Sequence, residues 1–182
     1  MQTYKLLAEL LDYPNRELVS ELDNAVTAHG TALVWLAEID RDDVFSPADR
    51  QAIAAFIDAL VAQDATEREA AYVATFDMVP DHSLHLTHHL FGDDKNRGPA
   101  LIDLSEYYKS FGFTHEETEI PDFLPLMLEF VSQLDVQGAK VFLADVAKIF
   151  TVLAQNLEKA GSPYAPLIRI LETHGTLTRL AA

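Results

Sequence analysis

VFLADVAKIFTVLAQNLEKAG, Val141–Gly161, is the stretch whose periodicity decides the fold. Phe142, Val146, Ile149, Phe150, Leu153 and Leu157 recur at i, i+4, i+7, i+8, i+11 and i+15, so all six fall on one face of an α-helix that Gly161 closes. Beyond it, Ser162-Pro163 caps a last helix with Leu167, Ile170 and Leu171 inside. Before it, EIPDFLPLMLEF (Glu119–Phe130) predicts the most apolar helix of the chain, with Asp122 able to cap it and Pro125 still in the first turn, where a missing N–H costs nothing. Phe123, Leu124, Leu126, Met127, Leu128, Phe130, Val131 and Leu134 leave that helix almost no polar face, which places it at the centre of a bundle.

The N-terminal half reads the same way. Tyr4, Leu7, Leu10 and Leu11 define a first helix stopped at Asp12-Tyr13-Pro14. Two helical pieces then meet at Gly30, with Leu18, Leu22, Ala25, Val26, Leu33, Leu36 and Ala37 as their apolar positions and Trp35 as a core anchor. Ser46-Pro47-Ala48-Asp49 opens a helix carrying Ile53, Phe56, Ile57 and Leu60. Thr66-Glu67-Arg68-Glu69 predicts a capping box for the next, with Ala70, Tyr72, Val73 and Phe76. No run of alternating β-branched or aromatic residues lies between turn signals, so the expectation is an all-α, single-domain helical bundle over residues 1–182.

Composition narrows the possible partners. Thirteen Lys+Arg against 29 Asp+Glu give a net charge of −16, which repels phosphate backbones and anionic membrane surfaces and suits a basic or amphipathic partner. Nucleic-acid binding is therefore not expected. Without cysteine, thiolate metal sites, CxxC chemistry and a cysteine nucleophile are excluded. MQTYKLLAELLDYP lacks a basic n-region followed by an apolar h-region, and no window approaches the ~20 apolar residues that cross a bilayer. These features lead us to expect a soluble cytoplasmic protein with no stable membrane association.

Between Phe76 and Phe130 lie the residues with chemical potential. After Pro80-Asp81, His82, His85 and His89 stand at 0, +3 and +7 and are expected on one face of a helix, with His88 at its edge. Imidazoles so arranged suit either a metal, with Asp77 or Asp81 completing the set, or a polar groove wall. The loop Phe91–Pro99 is bracketed by glycines, and Arg97 is expected to pair with Asp93 or Asp94; without a GxxxxGK[ST] pattern it is not a phosphate loop. Glu129, an acid in a nearly all-apolar helix, must reach an edge, find a cation or take up a proton. No Ser–His–acid order or HExxH motif is present, so no catalytic residue is assigned.

In combination, LLAELLDYP (Leu6–Pro14), YVATFD (Tyr72–Asp77), SLHLTHHLFGDDKNRGPALIDL (Ser83–Leu104) and EIPDFLPLMLEF (Glu119–Phe130) resemble the delta-subunit, molybdenum cofactor assembly chaperones of respiratory nitrate reductase, within the redox-enzyme maturation chaperones. The resemblance covers most of residues 6–134 and continues from about 137 only as a helical pattern. It implies an all-helical, cytoplasmic, non-catalytic protein with no cofactor of its own. Such a protein binds the N-terminal leader of the catalytic (alpha) subunit, delays its membrane attachment, assists molybdenum cofactor insertion, and leaves the finished enzyme. Molybdenum cofactor biosynthesis proteins are further partners it implies. Carried over by position, the peptide-binding residues are His89, Gly92, Arg97, Gly98, Pro121, Asp122 and Glu129, with Asp122 and Glu129 expected to meet leader cations. Related chaperones often carry a histidine where this chain has Phe123. The alternative is a metal-binding helical enzyme or metallochaperone built on His82, His85 and His89.

Overall fold

The computed structural model describes residues 2–114 and 119–180. Among them run α1 (Gln2–Leu11), α2 (Arg16–His29), α3 (Ala32–Ile39), α4 (Pro47–Ala62), α5 (Ala65–Phe76), a 3-10 turn (Pro80–His82), α6 (Leu86–Phe91), α7 (Arg97–Ser110), α8 (Leu124–Gln133), α9 (Val136–Lys159) and α10 (Ala165–Leu180). An isolated antiparallel bridge between His85 and Phe123 is the one β-type pairing among the described residues. The fold is all-α.

Local chemistry explains most boundaries. Asn15 and Thr31 cap α2 and α3 by accepting from Leu18 N and Val34 N, and Gly30 separates the two helices at φ +85°. Ser46 and Asp49 form the reciprocal box that opens α4. The box expected at Thr66 does not form. Asp64 accepts from Thr66 N and Glu67 N instead, because its carboxylate lies within reach of the first free amides and is a stronger acceptor than a hydroxyl.

The core is built on two helix pairs. α10 turns back along α9 through the short connection at Gly161, and α1 lies against α8 although more than a hundred residues separate them. In α8, Leu124, Pro125, Leu126, Met127, Leu128, Phe130 and Val131 are all buried, as the sequence predicts for a central helix. Trp35 is partly buried against the same core, whereas Leu33 faces solvent and Ala32 with Leu36 forms the buried edge of α3.

Buried polar groups weld the end of α1 to α5. Tyr72 donates its hydroxyl to the carbonyl of Leu11 at 3.1 Å. Arg68, also buried, spends its guanidinium on the carbonyls of Pro14, Leu60 and Gln63 at 3.4, 3.3 and 3.1 Å. A buried Asp40 orders the polar break after α3 by accepting from Val44 N and Phe45 N.

Gly175 marks the closest approach of α9 and α10. A Cβ there would stand 2.6 Å from the Leu143 carbonyl oxygen and 3.0 Å from Ala147 Cβ. Gly175→Ala is expected to cost about 2 kcal/mol or more in urea unfolding, since a backbone oxygen cannot step aside as a flexible side chain does. Leu33→Ala, at an exposed site, is the neutral control.

Candidate functional site

Asp122 sits just before α8 with no exposed surface, and five hydrogen-bonding groups converge on it. Its carbonyl accepts from Leu86 N at 3.0 Å, and Leu84 returns the pairing by accepting from Leu124 N at 2.8 Å. The Asp122 carboxylate accepts from Thr87 N at 3.1 Å, from the Thr87 hydroxyl, from His85 Nδ1 at 3.2 Å and, at the limit of a hydrogen bond, from Arg97 at 3.5 Å. Arg97 Nε also donates to Thr87 Oγ1 at 3.0 Å. Asp122 therefore does not cap its own helix; Phe123 occupies that place without a side-chain bond, and Asp122 caps α6 from a distant part of the chain, its carbonyl taking the Leu86 amide and its carboxylate the Thr87 amide. Burial alone would push the Asp122 carboxyl up, but the hydrogen bonds from His85 and Thr87 and the His85 charge outweigh it and hold the group below the usual aspartate range.

The same pairing breaks the expected histidine helix. Leu84–Leu86 is extended against Asp122–Leu124, so His82 falls in the 3-10 turn, His85 precedes α6, and His89 lies within it. His82 Nδ1 donates to the Thr75 carbonyl at 3.0 Å, His89 Nε2 to the Ser83 carbonyl at 2.7 Å, and His85 to Asp122. The three imidazoles do not share a helical face, and among the described residues no group of three or more His, Asp or Glu side chains is placed to hold a metal. The His85 ring stacks obliquely on Phe123, centroids 5.2 Å apart.

Arg97 and Gly98 are the first residues of α7, not members of a loop, and Arg97 turns to Asp122 and Thr87 instead of Asp93 or Asp94. Gly98 faces open space. Gly92 ends α6 at φ +53°, ψ −124°, a conformation glycine adopts without steric cost. The Pro121 carbonyl accepts from the buried Tyr108 hydroxyl at 2.9 Å, so the segment Pro121-Asp122 holds α7 at both ends. Glu129 is set apart from this cluster. It reaches solvent at the edge of α8 where α1 crosses; partial burial pushes its carboxyl up, Lys5 opposes that and Asp12 adds to it.

A groove of about 410 Å³ opens where the end of α1 meets α5, lined by Tyr13, Thr66, Glu69, Ala70, Val73, Ala74 and Met78. Sequence reasoning did not single out Tyr13 or Met78. Met78 is 72% exposed, a signal only the structure carries. The Tyr13 ring stands edge-on to Tyr72 at 5.5 Å, and both hydroxyls titrate high: burial is the first cause, with Glu69 and Asp77 adding at Tyr13 and Asp12, Asp77 and Glu119 at Tyr72. Glu69 stands in the wall of this largely apolar groove, and Asp12 and Asp77 adjoin its lining residues Tyr13 and Met78 along the chain. Among the described residues Asp12, Glu69 and Asp77 form no salt bridge, and Arg68, next to Glu69 in the chain, is spent on carbonyls.

Asp122 thus fastens α6, α7 and the entry to α8 together within an all-helical bundle, and a separate groove opens at α5. The family model described as nitrate reductase delta subunit matches residues 42–169, and the chain belongs to that family. It is 35% identical over 123 residues to the Escherichia coli nitrate reductase molybdenum cofactor assembly chaperone NarJ, covering 68% of this chain and 52% of that protein. It is 30% identical over 169 residues to the probable chaperone of the same name in Bacillus subtilis, covering 93% and 85%. A 31% identical stretch of 156 residues makes up 22% of the Mycobacterium tuberculosis nitrate reductase-like protein NarX. The chain thus spans about half the length of its Escherichia coli relative.

Asp122→Asn places an amide donor against the donors of Thr87, His85 and Arg97, and is expected to cost about 3 kcal/mol at neutral pH. The sign of the pH effect follows from a carboxyl lowered by folding: its stabilisation is complete above the ordinary value of 3.8 and is lost as the pH falls through the lowered one. Thermal unfolding curves of wild type and variant should therefore converge below pH 3.8. A gap that stays constant into that acid range would contradict the assignment.

Proposed function

We propose that this protein is a cytoplasmic assembly chaperone of a respiratory nitrate reductase. It binds the N-terminal leader of the catalytic (alpha) subunit, delays that subunit's attachment to the membrane, and keeps it open to molybdenum cofactor insertion without catalysing a reaction itself. Molybdenum cofactor biosynthesis proteins would meet it at that stage. The names of its relatives support the process, and its net charge of −16 suits a basic leader.

The observation that carries the leader reading is the rimmed groove at α5. Ala70 and Ala74, one turn apart, let another helix approach closely, while Tyr13, Val73 and Met78 offer apolar walls. Glu69 and Asp77 lie eight residues apart, about 12 Å along α5, so they meet cations two turns apart on a docked helix. Asp12, beside the lining residue Tyr13 in the chain, adds a further acid at this end of α1. In this arrangement Arg97, Pro121 and Asp122 are positioning residues that hold α6, α7 and the entry to α8 together. A leader arginine reaches Asp122 itself only by displacing Arg97. His89, Gly92 and Gly98 shape the neighbouring α6–α7 connection.

Calorimetric titration with a synthetic peptide of the catalytic subunit's N-terminus, and a scrambled peptide as control, tests the reading. Saturable binding that weakens with added salt is expected, and Glu69→Lys with Asp77→Lys should reduce affinity at least about tenfold, or 1.4 kcal/mol, while flattening the salt dependence. Equal affinity for the scrambled peptide, or no loss in the double variant, would reject the groove as the leader site.

A further inference from the structure

Met78 is the most exposed large apolar side chain among the described residues, at 72%. It stands just past the last turn of α5, where its N–H donates to the Val73 carbonyl at 3.2 Å, so the backbone that presents the side chain is held in place. Ala70 and Ala74, which line the same groove, are exposed as well, and small solutes reach this wall freely. The chain has three methionines and no cysteine. Met127 is only 4% exposed within α8, which leaves Met78 as the solvent-facing sulfur among the described residues. A thioether is a two-electron reductant toward peroxides, and its reactivity follows its exposure.

We propose that Met78 is a modification site: a peroxide oxidises its thioether to the sulfoxide, and the oxidised α5 groove holds its peptide less tightly. The sulfur lone pair attacks one peroxide oxygen, the O–O bond breaks, and the departing hydroxide takes the proton of the transferred hydroxyl and leaves as water. Sulfur loses two electrons and the peroxide gains them. The product carries a polar S–O group where the groove wall was apolar, and an aliphatic side chain docked there must strip water from that oxygen or withdraw. Glu69 and Asp77 are untouched by the reaction, so the attraction for a basic peptide stays while the apolar contact is lost. Oxidation therefore lowers affinity without changing its salt dependence, which separates it from loss of the acids. The inference rests on the peptide-docking reading of this groove and adds its regulation.

The full chain is treated with hydrogen peroxide and digested with trypsin, which puts the three methionines in separate fragments, residues 1–5, 69–95 and 110–140. Mass spectrometry should show fragment 69–95 gaining one oxygen at least about tenfold faster than fragment 110–140. Two probes are then titrated before and after oxidation: the synthetic leader peptide, and a helical peptide of leucine and lysine whose lysines stand two turns apart. Oxidised wild type should bind at least about threefold more weakly with an unchanged salt slope. Methionine sulfoxide reductase with dithiothreitol, whose two thiols take the oxygen back as water, should restore it. In Met78→Leu, peroxide should leave the variant's own affinity unaltered. Equal oxidation rates of the two fragments, equal affinity of oxidised and untreated wild type, or the same loss in Met78→Leu overturns the inference, as does failure of both peptides to bind the untreated protein. If the leucine and lysine peptide binds and responds to peroxide while the leader peptide does not bind, the leader reading alone is rejected and the modification site stands.

Discussion

The capping of α6 by Asp122 is the interaction on which the arrangement of α6, α7 and α8 depends. One residue supplies a carbonyl to Leu86 N and a carboxylate to Thr87 N, so the start of a six-residue helix is satisfied by a segment more than thirty residues downstream. A helix that short does not hold itself together in water. The carboxylate also gathers Arg97, the first residue of α7, and the preceding carbonyl of Pro121 takes the Tyr108 hydroxyl near its end. α7 needs both ties, for Tyr108 is its one buried residue while Ile102 and Tyr107 face solvent. Because the Asp122 carboxylate is buried, its stabilisation depends on every donor around it remaining in place.

Around that fixed centre the surface is sorted by charge. Arg68 is turned inward to three carbonyls, and so does not neutralise Asp12, Glu69 or Asp77 beside the α5 groove. Local pairing would have erased that feature.

The sequence was most legible where a few neighbouring residues decide the outcome. The 3.6-residue stripes of α4, α8 and α9, the cap at Ser46 and the break at Gly30 are local statements, and the structure repeats them. Reading failed where a partner came from far away. His82, His85 and His89 have helical spacing, but the pairing of Leu84–Leu86 with Asp122–Leu124 extends the backbone between them and sends each ring to a different acceptor. Asp122 looked like the cap of the helix it precedes, and nothing in its neighbours shows that α6 competes for it. Gly175 is likewise silent in sequence, since only the position of the Leu143 carbonyl gives it meaning.

Sequence alone determined the all-helical class, the helix carrying the core, the excess of negative charge and the family motifs, because periodicity, capping and composition act within a turn or two or sum over the whole chain. Tertiary structure alone decided which acids are buried and which remain open. Asp122 and Glu129 stand seven residues apart, yet one is sealed among donors from α6 and α7 and the other faces α1 and solvent. That difference is set by which helices fold over them, and helices distant along the chain leave no mark on the residues they cover.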